Sequence, residues 1–325
     1  MQTTKTTINT TQFAKDVKAG LGKMPKSIPS KYFYDEKGDR IFQQIMNMPE
    51  YYLTRAEFEI LAEQRIEICD ALDAFKTPFN LIEFGAGDGL KTKLLLRYLL
   101  DEGAGFTYYP VDISNHILSE FTSALHDEFP GLKTHAVHDD YFGALQQMRN
   151  FNDRRNVVLF LGSNIGNFHY ADAGHFLHQI AKHCQPGDLL LLGVDLKKDP
   201  KLIIQAYDDP HGITAAFNLN LLKRMNAELG ADFQLGQFDH YVSYEPQSGE
   251  VLSYLISKKD QTIVFSDLDL EIEFSKHELI HTEISKKYSL TELEKLARET
   301  GYEPVSHFLD TNNYFTDSLL KISGE

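Results

Sequence analysis

The chain has 325 residues, 42% hydrophobic and 24% charged, which is the balance of an ordinary globular protein with room for a sizeable core. Its formal net charge of −15 argues against nucleic acid or an anionic membrane as main partner, since phosphate binding needs concentrated Lys and Arg. No apolar run approaches the roughly 20 residues of a membrane span, and MQTTKTTINTTQF lacks an apolar leader segment, so a cytoplasmic protein is the default expectation; a monomer is compatible with the sequence, which does not fix the oligomeric state. Cys69 and Cys184 lie outside any CxxC pair; buried reduced thiols and no metal site follow.

The first 60 or so residues carry no strand-first pattern. A strand then reads over Asn80–Gly85, a short apolar run ending in glycines, followed by a leucine-rich helix over Leu90–Leu100. Phe106–Ile113 is the second strand, Ile117–Glu128 a helix closed by Pro130 and Gly131, and Leu132–Val137 a third strand. Asn156–Gly162 (NVVLFLG) is a fourth, apolar throughout and so buried on both faces. Ala171–His183 is a helix, and Asp188–Val194 the fifth strand. This alternation predicts a doubly wound, Rossmann-like parallel α/β sheet. The beat breaks after Lys197, where helices over Asp199–Tyr207 and Thr214–Leu229 precede alternating segments such as Leu268–Phe274. It resumes at Ser289, which with Glu292 forms a capping box for a helix over Leu290–Thr300. Val305–Leu309 and Tyr314–Ile322 read as a terminal strand pair, the last strand antiparallel. Residues 61–196 and 288–325 are therefore expected to form a nucleoside-binding domain, and 1–60 with 197–287 a second lobe; a cleft between lobes is a common place for a small-molecule site.

Glu83-Phe-Gly85-Ala-Gly87-Asp-Gly89 follows a strand and opens a helix, where glycines allow close backbone approach and free N–H groups face a ligand. Asp112 ends the second strand, placed to accept from both hydroxyls of a ribose, and Asp140 follows the third, within reach of an adenine amino group. Singly, each is equally a turn or a solvated acid; three such features at successive strand ends favour a nucleoside cofactor. NAD and S-adenosylmethionine are both candidates. The GxGxG spacing and the terminal strand pair favour a methyltransferase over a dehydrogenase.

The strings KSIPSKYFYDEKGDRIF, MPEYYLTRAE, LIEFGAGDGLKTKLLL, YYPVDIS, VVLFLGSNIGNF, GDLLLLGVDLKKDP, AYDDPHGITAAFNLNLLKRMNAELGADF and IHTEISKKY run nearly end to end. In them the chain resembles the histidine-specific Nα-methyltransferases of ergothioneine biosynthesis. The resemblance implies S-adenosylmethionine as methyl donor, a free amino acid as substrate, and conversion of histidine to its trimethyl betaine, hercynine, in three steps. It implies that Tyr34 and Tyr51 reach the substrate, that Asn167 and Tyr207 hold its amino and carboxylate ends, and that Glu283 and Ser285 read the imidazole. Tyr34, with an ordered water, is the expected proton relay, and Asn167 orients the reacting amine. Gly85, Gly87, Lys91, Asp112, Asp140 and Tyr141 fall at cofactor-site positions. These residue types suit the chemistry: a carboxylate accepts an imidazole N–H while a hydroxyl serves the other nitrogen, and such a site rejects analogues that leave its groups unpaired.

Two departures stand out. Ser253 occupies the position of a family methionine beside the imidazole, and GLKTK replaces the family's SEKTR while keeping the lysine. The alternatives are an Nα-methyltransferase for another, tryptophan-like aromatic amino acid, and a non-catalytic module that binds S-adenosylmethionine.

Overall fold

The computed structural model describes residues 7–148 and 154–324. They fall into two compact units, one within Tyr52–Lys198 and Lys286–Glu325, the other within Met1–Tyr51 and Asp199–Ser285.

The first unit is built on a seven-stranded sheet. Its strands in chain order are β1 (Phe79–Phe84), β2 (Phe106–Asp112), β3 (Val137–His138), β4 (Arg155–Phe160), β5 (Leu189–Asp195), β6 (Tyr302–Leu309) and β7 (Phe315–Ile322), laid side by side as β6-β7-β5-β4-β1-β2-β3. β1 to β5 pair in parallel, with Ile82 opposite Tyr109 on one side and Val158 on the other. β7 is inserted antiparallel to both β5 and β6. The apolar runs explain this order: every residue of β1 and β5 is buried, as a central parallel strand covered on both faces requires. Ile82, Phe84, Val158, Phe160, Leu190 and Leu192 pack with Phe176 and Leu177 of the helix Tyr170–His183 and with Leu293 and Leu296 of the helix Leu290–Glu299. That last helix starts on the expected capping box, with Ser289 and Glu292 satisfying each other's backbone N–H groups.

Two expectations need correction. The third strand, read over Leu132–Val137, shrinks to Val137–His138 plus an isolated Tyr108–Thr134 pairing. It is the sheet edge, and its Lys133, His135 and Ala136 are partly or fully exposed, so little apolar burial rewards a longer strand. The helix Tyr52–Glu63, assigned by sequence to the second lobe up to residue 60, belongs to the sheet unit, because Leu53, Ala56, Glu57, Ile60 and Leu61 are all buried there. The end of β5 is fixed by a buried ionic knot: Asp195 accepts from Lys287 at 2.7 Å, from the Tyr52 hydroxyl at 2.8 Å and from Lys198. Burial alone would raise the Asp195 carboxyl, but the two ammonium groups outweigh it and hold it below the usual carboxylate range.

The second unit places helices Thr7–Leu21, Glu36–Met46, Pro200–Tyr207 and Ile213–Leu229 with a four-stranded sheet. Phe238–Glu245 and Glu250–Ser257 form a hairpin in that sheet; Leu279–Lys286 borders it, and the two-residue strand Lys26–Ser27 pairs in parallel at its edge. Leu270–Phe274, the core of the expected alternating segment, pairs antiparallel with Gln261–Phe265 in a separate ribbon. Phe33, Phe217, Leu221, Leu222, Met225 and Leu255 lie in its core.

Candidate active site

In the sheet unit the strand order reverses between β1 and β4, and the crevice beyond the carboxyl ends at such a switch point is where α/β sheets bind nucleotides. The predicted cofactor residues converge there. Gly85, Gly87 and Gly89 all take positive φ (72°, 55° and 64°), a conformation that side chains rarely adopt. Gly85 N–H donates to the Val111 carbonyl at 2.8 Å, which carries the loop from β1 towards the end of β2. Gly87 N–H donates to Asp112 Oδ2 at 2.9 Å, while Ser114 N–H donates to Oδ1 at 2.9 Å. Each carboxylate oxygen keeps a further lone pair, so Asp112 can still accept from vicinal hydroxyls. Burial pushes its carboxyl upward, against the pull of the Ser114 and Gly87 N–H groups.

The space around the loop is uneven. A Cβ on Gly87 would meet nothing within 4 Å, whereas one on Gly85 would lie 3.0 Å from Asn164 Nδ2 and 3.2 Å from the Tyr141 hydroxyl. Tyr141 stands against Phe84, Phe160 and Phe176 at centroid distances of 5.9, 5.2 and 5.5 Å, and burial raises its phenol. Lys91, at the entrance of the helix Thr92–Asp101, pairs with Glu57. Asp140 is exposed, and its Oδ1 accepts the Gly143 N–H at 2.8 Å in the first turn of the helix Tyr141–Met148. Asn167 closes a 3-10 turn after β4. Ser163, left-handed at φ 57°, opens the turn, and its Oγ accepts the Asp195 N–H at 3.0 Å. Gly166 packs on the Lys286 backbone, with room for no side chain: a Cβ would come within 2.8 Å of the Lys286 carbonyl oxygen.

In the other unit a continuous aromatic chain links the three predicted tyrosines Tyr34, Tyr51 and Tyr207. Tyr34 meets Phe42 edge-on at 5.7 Å, Phe42 meets Tyr51 at 6.4 Å, and Tyr51 meets Tyr207 at 6.2 Å. The Tyr207 hydroxyl lies 2.8 Å from Ser285 Oγ. Glu283 is half-buried on the same strand as Ser285. Ser253 is fully buried on the neighbouring strand, its carbonyl accepting the Thr282 hydroxyl at 3.0 Å, one residue from Glu283. Thr282 and Asn218, joined at 2.7 Å, complete that region.

Several residues went unsingled in the sequence: Glu57, Gly162, Asn164 and Asp317. The only signal was MPEYYLTRAE itself, an acid amid the apolar face of a helix, because fully buried charges occur only when paired.

The family described as "Histidine-specific methyltransferase, SAM-dependent" matches residues 13–322. The chain belongs to this family. The methyltransferase is 37% identical to a histidine N-alpha-methyltransferase of Mycolicibacterium smegmatis over 94% of its own length and 93% of that protein. It is 38% identical to a protein of the same name from Mycobacterium tuberculosis over 84% of each chain. It is 33% identical to ergothioneine biosynthesis protein 1 of Neurospora crassa, over 91% of this methyltransferase and 33% of the fungal protein. S-adenosylmethionine is its methyl donor. The open space at Gly87, the Asp112 carboxylate and the Tyr141 wall suit a bound nucleoside. Among the described residues no cluster of His, Cys, Asp or Glu could hold a metal ion, and no helix is long and apolar enough to cross a membrane.

Proposed function

We propose that this methyltransferase methylates the α-amine of free L-histidine three times, to hercynine. The observation that carries the reading is the buried hydrogen bond between the Tyr207 hydroxyl, at the end of the helix Pro200–Tyr207, and Ser285 Oγ, on the strand that also bears Glu283. A carboxylate and a hydroxyl of this kind match an imidazole, one accepting its N–H and the other serving its second nitrogen. In this reading Asn167 orients the amine, Tyr51 and Tyr207 hold the amino acid, and Ser253 replaces a thioether by a smaller polar group beside the ring. Gly85, Gly87, Lys91, Asp112, Asp140 and Tyr141 hold the donor.

S-adenosylmethionine supplies an already activated sulfonium methyl, so no covalent enzyme intermediate is required. The residues then have two tasks. They must hold the amine in line with the transferred methyl, which proximity and exclusion of water make effective, and they must take a proton from the ammonium before each transfer. Tyr34 is the relay for that proton, passing it to solvent. We take the enzyme to be a cytoplasmic monomer without nucleic-acid partners, in keeping with its charge of −15.

The test is incubation of the purified protein with S-adenosylmethionine and a pool of free amino acids, with products read by mass spectrometry. Stepwise methylation of histidine to the trimethyl form is expected. Another aromatic amino acid methylated with histidine untouched would overturn the substrate; no methylation of any amino acid would favour a binding module.

A further inference from the structure

Glu57 is fully buried, whereas Glu59 and Glu63 of the same helix reach solvent. Its two oxygens divide between two loops. Oε1 accepts the Gly162 N–H at 2.6 Å, and Oε2 holds the Lys91 ammonium. Gly162 turns the chain after β4 at φ 75°, and Lys91 stands where the glycine loop after β1 becomes a helix. These are the two strand ends that flank the switch point. Gly193 of β5 leaves the space, since a Cβ there would overlap Glu57 Oε1.

Asp317 of β7 is buried beside this carboxylate, and no N–H or hydroxyl reaches either of its oxygens. Burial and the Glu57 charge push its acid well above the usual range. Two acids in contact can both be satisfied if they share one proton, which would leave the group Glu57, Lys91 and Asp317 neutral as a whole. A buried ion pair is a poor way to gain stability, because an apolar side chain of similar size does as well or better. Its two partners here are both in the loops that form the donor site.

We propose that Glu57 is a positioning residue for the methyl donor: it fixes the Lys91 ammonium against the Gly162 turn, with the buried Asp317 behind it, and so sets donor affinity through Lys91. An ammonium has three donors, and the tie to Glu57 leaves the others free for the donor's α-carboxylate. The proposal rests on the reading of Lys91 as a donor-site residue.

The experiment is a double-mutant cycle on S-adenosylmethionine affinity by calorimetry, with Lys91→Met, Glu57→Gln and the double variant. Each single variant is expected to weaken binding by about tenfold, and the double variant by no more than Lys91→Met alone, since the two act as a unit. In steady-state kinetics the loss in Glu57→Gln should fall on the S-adenosylmethionine KM and not on the histidine KM, a split that a merely structural defect would not respect. Full donor affinity in Glu57→Gln beside a weakened Lys91→Met, or losses that simply add, would overturn the proposal while leaving the donor site in place. An unaffected Lys91→Met would instead remove Lys91 from the donor site, and the proposal with it. Should Glu57→Gln not fold, the unmodified enzyme with 15N-labelled lysine answers: a slowly exchanging Lys91 ammonium signal is expected, and a freely exchanging one refutes the tie.

Discussion

The Tyr207 hydroxyl and Ser285 Oγ are buried together 2.8 Å apart, joining the helix Pro200–Tyr207 to the last strand of its unit. One hydroxyl must donate and the other accept, so each fixes how its partner can meet a ligand. Tyr207→Phe removes one member and leaves the ring in place. It is expected to raise the histidine KM by about 5- to 150-fold, the cost of roughly 1–3 kcal/mol for an unpaired buried hydroxyl. Ser285→Ala should lose a similar amount, and the double variant less than the sum. Steady-state kinetics at saturating donor decides it; an unchanged KM in both would take the pair out of the substrate site.

Tyr34 packs edge-on against Phe42 and Phe217, 5.7 and 5.9 Å away, contacts that do not involve its hydroxyl. Tyr34→Phe should therefore keep the ring packing while removing the hydroxyl on which the proton relay depends. A fall in kcat of about 100-fold or more, with histidine affinity nearly unchanged, is the expected result. Loss of histidine binding with turnover of bound substrate intact would make Tyr34 a binding group and leave the proton to another route.

Gly89 combines a φ of 64° with a neighbour that allows no side chain: a Cβ would overlap the Phe121 ring. Gly89→Ala is expected to cost about 2–4 kcal/mol from strain and overpacking together, and to weaken donor binding by displacing the loop. Gly87→Ala, with a φ of 55° but open space, should cost only the backbone term of about 1–2 kcal/mol. Urea unfolding of the two variants separates the contributions; equal losses would mean that Phe121 yields freely.

Glu83 lies under the same loop, accepting from the Thr92 and Tyr108 hydroxyls, and burial pushes its carboxyl up to about 7 from an ordinary 4.5. The sign follows from linkage. Between those two values the folded state holds a proton that the unfolded chain has released, so stability falls as pH rises from about 4.5 to about 7 and levels off above. Glu83→Gln, which cannot ionise, should flatten that fall by about 3 kcal/mol. Unfolding measured from pH 5 to 8 reads this directly, and an unaltered slope would show Glu83 to be charged throughout.

Much of this protein was legible in the sequence because it is written in local patterns. β1, β4 and β5 declare themselves as apolar runs, since a strand covered on both faces has no polar positions to spare. The glycine loop and Asp112 are found at strand ends because backbone conformation and strand direction put them there. The capping box at Ser289 is a purely local exchange of hydrogen bonds. The edge strand β3 is shorter than its sequence suggests because an edge lacks the burial that would hold Leu132–Val137 extended. The family strings supplied the candidate substrate residues, which no periodicity distinguishes from packing tyrosines.

What only the tertiary structure decided is which distant residues share a partner. Glu57, Lys91, Gly162, Gly193 and Asp317 stand on five separate segments, and nothing near any of them in sequence tells that a buried acid, a loop lysine, a turn N–H and a second acid converge. The same holds for Tyr34, Tyr51, Tyr207 and Ser285, joined by ring contacts and one hydrogen bond across more than half the chain. Sequence determines the elements because hydrophobic period and capping act over a few residues. Charge pairing and proton sharing depend on distance and burial in space, and those exist only once the chain has folded.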